Sequence, residues 1–152
     1  MSGNRVGFDR TELLYATLAL LGLAGTWAQV WGYLGLGLVQ GNVLFWQDAV
    51  ANPAGTFLTA DVLVLGAALL VWMFGEGRRL GIGPGWLWGY FLLSAFVAIS
   101  FALPMFLAQR HRRLRLTRPE EIVPPAGSDW VPIVVVVVVE VIAVLYSLSR
   151  PA

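Results

Sequence analysis

Four long apolar runs separated by short polar stretches constrain this chain more than any other feature. They cover residues 13–39, 56–74, 86–107 and 131–148. Each approaches or exceeds the roughly 20 residues a helix needs to cross a hydrocarbon core of about 30 Å. Two of the runs carry an acid, Asp61 in the second and Glu140 near the middle of the fourth. The pattern predicts an all-α fold: a polytopic membrane protein with four transmembrane helices in a bundle. Little chain is left over for a separate soluble domain, so residues 1–152 read as a single membrane domain.

Composition agrees. Hydrophobic residues make up 58% of the chain and charged residues only 12%, against about 25% in a soluble domain. A net charge of +1 gives no reason to expect nucleic acid. Cysteine is absent, which removes disulfides, thiolate nucleophiles and iron–sulfur ligation. All ten basic residues are Arg, a bias typical of GC-rich bacterial genomes, so a bacterial cytoplasmic membrane is the expected location. Arg5 and Arg10 precede the first run as in a signal peptide. Asp9 and Glu12 sit among them, and the run exceeds the 7–15 residues of a signal h-region. An uncleaved first span is expected.

Small residues form stripes along two spans: Ala24, Ala28 and Gly32 on the first, Ser94, Ala98 and Ala102 on the third. Such stripes let helix backbones approach closely in lipid, within one bundle or between subunits. The expected partners are therefore the lipid bilayer and other membrane-protein subunits. The loop 40–55 carries Val43, Leu44, Phe45 and Trp46, and predicts a short helix lying in the interface. Asn52-Pro53 marks the turn into the second span. That span ends in Gly75-Glu76-Gly77-Arg78-Arg79, where arginines suit the negative end of the helix dipole. Trp86 and Trp88 read as interfacial anchors of the third span. Pro104 near its end is expected to kink the span and leaves the Ser100 carbonyl without its helical donor.

After the third span comes an Arg-rich loop with Arg110, Arg112, Arg113, Arg115 and Arg118. Glu76, Arg78, Arg79 and this loop are candidate interfacial and lipid-contact residues. With four alternating spans, one side carries Arg5, Arg10, Arg78, Arg79 and Arg150. The other carries the five arginines of the third loop. That tie leaves the positive-inside rule without a decision.

Three stretches then point to a family. They are Ala51-Asn52-Pro53; Phe57-Leu58-Thr59-Ala60-Asp61-Val62-Leu63 leading to Glu76-Gly77-Arg78-Arg79-Leu80-Gly81; and Ser100-Phe101-Ala102-Leu103-Pro104-Met105-Phe106-Leu107. Together they resemble a bacterial family of small integral membrane proteins, domain of unknown function 2834. The resemblance covers about residues 13–109. It implies a membrane fold of about three spans and a shared framework including Asp61, Glu76, Arg78, Arg79 and Pro104. It brings no activity and no cofactor. Residues 110–152, with the fourth span and Glu140, look like an extension of a family-like core at 1–109.

No constellation in the residues specifies a reaction. His111 is the only histidine, so no His pair for a metal or haem and no membrane-embedded Ser-His-Asp triad is expected. An ionised Glu140 at the midplane costs about 3 kcal/mol on insertion scales, so it must be protonated, paired or facing a wet interior. Asp61 has Thr17, Gln29 and Tyr33 as its nearest expected partners. The favoured expectation is a non-catalytic accessory or structural subunit of a larger membrane complex. The alternative is a small membrane enzyme or carrier for an isoprenoid-like substrate. There an intramembrane acid would protonate a double bond, with Trp27, Trp31 and Tyr33 stabilising positive charge. Ion transport, which would need oligomers, is a third.

Overall fold

The structure is a computed structural model that describes residues 9–116, with Val134, Val138 and Ile142 beyond them. The run 131–148 otherwise lies outside the described residues, as do Glu140 and Arg118. Among the described residues every regular element is helical.

Helix α1 spans Arg10–Trp27. Asp9 caps it: the carboxylate accepts from the Thr11 amide at 2.7 Å, and Glu12 reaches back to the Asp9 amide. This reciprocal pair satisfies two amides that have no helical partner. The first apolar run does not continue as one helix to residue 39. A four-residue helix α2, Trp31–Leu34, follows a turn at 28–30, and Gly37 takes a φ of 81° before α3, Leu38–Ala49. Such a φ is cheap only for glycine; the run breaks first at the 28–30 turn and again at Gly37. The helix expected within 40–55 therefore begins at Leu38.

Helix α4, Pro53–Arg79, is 27 residues long. Asn52 caps it and Pro53 occupies its first turn, where a missing amide costs nothing. It ends in a Schellman turn: Gly81 is left-handed at φ 66°, and the Ile82 amide bonds the Gly77 carbonyl at 2.8 Å. Ile82 is fully buried, which fixes the turn and sends the chain back along α4.

The next helical run comprises α5 (Pro84–Leu93), a π-helical segment (Ser94–Ala98) and α6 (Ile99–Leu116). Two runs, Pro53–Arg79 and Pro84–Leu116, are long and apolar enough to cross a membrane. The second is not straight. Tyr90 and Phe106 stack edge to face with centroids 5.5 Å apart, yet sixteen residues of straight helix would separate them by about 24 Å. The run doubles back between them, so α5 descends from the Gly81 turn and α6 returns. Ser94 enters the π segment by donating its hydroxyl to the Tyr90 carbonyl at 2.8 Å, a back-bond that bends helices. The third run was expected as one helix over 86–107; it is helical throughout but folds into a hairpin at 94–98.

The core sits in the pocket this hairpin makes with α4. Met73, Phe74, Leu80, Ile82, Leu87, Tyr90, Ala102 and Phe106 are buried there. Gly77 lets Leu87 and Phe106 close over α4. α1 packs along α6 from the other side, antiparallel, with Trp27 Nε1 donating to the Val97 carbonyl at 3.1 Å.

Candidate functional site

Three helix ends meet at one end of the molecule: the start of α1, the end of α4 and the end of α6. Their acids and arginines form an ionic cluster in two parts, one on each side of α6. Glu76 on α4 accepts from Arg79 at 2.6 and 2.7 Å, and its Oε1 also accepts from Arg110 Nε on α6 at 2.7 Å. Arg110 lies over the Trp72 ring at 5.8 Å, within cation–π range. On the other side of α6, Asp9 Oδ2 contacts His111 Nε2 at 2.8 Å and accepts from Arg115 at 2.9 Å. Glu12, only 4% exposed, faces the same Arg115 at 3.6 Å. Asp9 is held well below the usual carboxylate range, first by the Thr11 amide and then by His111 and Arg115.

The ion pair of Glu76 with Arg79 is thus also part of a tie between helices. Arg79 and Arg110 share one carboxylate, which places Arg78, Arg79, Arg110, Arg112, Arg113 and Arg115 at the same end. The five-to-five division put Arg78 and Arg79 opposite the third-loop arginines. In the structure Arg79 and Arg110 meet on one carboxylate.

Asp9, Glu12 and His111 were not singled out for this cluster. The sequence did carry one signal, Asp9 followed three residues later by Glu12, which is a capping box. Nothing local to the sequence joins it to residues more than a hundred positions away.

The small-residue stripes divide. Ala102 is fully buried, and Ser94 and Ala98 are partly buried. Ala24, Ala28 and Gly32 are exposed, because α1 stops at Trp27. The close approach of α1 to α6 runs instead through Ala19 and Gly22.

Asp61 lies at the far half of α4, about 12 Å from the helix start at the usual rise. It is exposed and has no hydrogen-bond or ion-pair partner among the described residues. Two of its three expected partners are engaged elsewhere: Thr17 donates to the Leu13 carbonyl and Tyr33 to Asp48 at 2.8 Å. The Asp48 carboxylate pushes the Tyr33 hydroxyl above its ordinary range. Around Asp61 stand exposed Phe57, Leu58, Val62, Val64 and Leu65. Of the aromatics expected to line an acid site, Trp27 donates to the Val97 carbonyl and Tyr33 to Asp48. Among the described residues, no group of His, Asp or Glu is placed to hold a metal ion.

The family model for protein of unknown function DUF2834 matches residues 14–112, well over half of the chain. The chain belongs to that family. The match contains the whole doubled-back run as far as Arg112, Asp61 and Glu76, while Asp9 and Arg115 flank it. Comparisons with curated proteins and with solved structures return no match. DUF2834 membership therefore fixes the family and leaves the chemistry to the geometry.

Proposed function

We propose that this DUF2834 protein is an integral membrane protein that serves as a non-catalytic accessory subunit of a larger membrane complex. Apolar side chains cover the outer faces of α1 and α4: Leu13, Leu14, Leu18, Leu20 and Leu21 on one, Phe57 to Leu65 on the other. A soluble protein does not expose contiguous apolar surface on that scale; lipid tails and neighbouring membrane helices accept it. At 27 residues, α4 is about 40 Å long and reaches across a bilayer.

The observation that carries the subunit reading is Asp61, an acid without a partner among the described residues, set in an exposed apolar face. Ionisable residues in spans almost always face a protein partner or a wet cavity. The fitting occupant is a membrane helix presenting an amide, hydroxyl or basic side chain at that depth. The test is Asp61→Asn, with recovery of co-purifying subunits in mild detergent as the readout. Loss of a partner seen with the wild-type chain is the expected result. Unchanged recovery at fixed stoichiometry would sink the assignment.

A further inference from the structure

We infer that the run from Pro84 to Leu116 is re-entrant: it enters the bilayer and leaves it at the same surface. There it joins the start of α1 in an arginine-bearing face that docks on the anionic phospholipid headgroups of the cytoplasmic leaflet. The inference rests on the membrane reading above and adds orientation and ligand to it.

Geometry fixes the same-side part. Pro84 follows Arg79 by five residues, and Arg110 shares Glu76 with Arg79. A straight helix would carry Arg110 about 39 Å from Pro84, enough to span a hydrocarbon core. The shared carboxylate forbids that separation. The His111 and Arg115 contacts to Asp9 bring the beginning of α1 to the same place.

Charge fixes the partner. All seven described arginines lie at this end: Arg10, Arg78, Arg79, Arg110, Arg112, Arg113 and Arg115. Against them stand three carboxylates, Asp9, Glu12 and Glu76, leaving an excess of four positive charges. Arg112 and Arg113 are exposed and have no acidic partner among the described residues. Beside them Leu114 and Leu116 are exposed, and Trp86 at the start of α5 is 65% exposed. Arginine next to exposed leucine and tryptophan is the composition of a surface seated at headgroup level. The other end carries Asp48 and Asp61 and, among the described residues, no arginine. Arginine excess is retained on the cytoplasmic side, where the leaflet is also the anionic one.

The absence of cysteine makes the test direct. Single variants Arg10→Cys, Arg113→Cys and Ala51→Cys are labelled with a membrane-impermeant maleimide, before and after the cytoplasmic membrane is opened. Residue 51 lies in the exposed turn ahead of α4, at the end away from the arginines. The expected result is that residues 10 and 113 react only after opening and residue 51 reacts before it. Labelling of 10 and 113 from opposite sides overturns the re-entrant hairpin. Labelling of both from outside overturns the leaflet. Release of the protein by alkaline carbonate removes the membrane reading itself, a failure distinct from the other two. In vesicles of equal parts phosphatidylcholine and phosphatidylglycerol, brominated phosphatidylglycerol should quench tryptophan fluorescence more than brominated phosphatidylcholine. That preference should fall severalfold in Arg112→Gln/Arg113→Gln; equal quenching by both lipids in the wild type overturns the headgroup contact.

Discussion

Gly22 and Gly25 lie one helical turn apart on α1, and their surroundings differ completely. A side-chain carbon at Gly22 would stand 2.5 Å from the Ser100 carbonyl oxygen, which is backbone and cannot yield. That carbonyl is the one Pro104 leaves without a helical donor, so α1 comes closest where the neighbouring helix lacks a hydrogen bond. Gly25 meets nothing within 4 Å. Gly22→Ala should therefore destabilise the protein by about 1–3 kcal/mol through forced separation of the helices. Gly25→Ala should range from neutral to a gain of about 1 kcal/mol, from helix propensity alone. Thermal unfolding of the two variants in one detergent compares them; equal effects would show that the α1–α6 approach is not tight.

At the scale of elements, α1 is tied to α6 at two points: Trp27 to Val97 and Asp9 to His111 and Arg115. Because the folded state holds Asp9 below the ordinary carboxylate value of about 4, its contribution is present above that pH. It is lost as pH falls further and the carboxyl protonates. Asp9→Asn keeps a capping side chain and removes the charge. The stability difference between wild type and Asp9→Asn should shrink below about pH 4; a difference that grows with acid would contradict the assignment. The helical class and the start of α4 at Asn52-Pro53 were legible, because caps act locally; its end was not, since Gly75 and Gly77 suit a terminus and the helix runs through both to Arg79. The break at Gly37 was not, since an apolar run reads the same whether it is one helix or three. Nor was the bend at 94–98: Ser-Ala-Phe-Val-Ala carries no proline or glycine, and Pro104 drew attention to the wrong place. The candidate site suffered most. Its members are ordinary surface charges until the hairpin brings Arg110 to Glu76.

For the molecule as a whole, Glu76 is the joint that holds α4 to the α1–α6 pair at the charged end. Its side chain is mostly buried, and three guanidinium hydrogen bonds end on it. Glu76→Gln should cost about 1.5–3 kcal/mol, the range for hydrogen bonds to charged groups, and should raise protease sensitivity of the Gly81 turn. Loss of stability without that sensitivity would place the damage elsewhere. The same cluster also sets an order of events during synthesis. Glu12 is one of the first described residues to emerge, and its arginine partner lies 103 positions later. At translation rates of about 5–20 residues per second, the carboxylate waits roughly 5–20 s for that arginine. For that interval Glu12 has its capping contact and no arginine from α6, so a helix made long after the first is the one that finishes it.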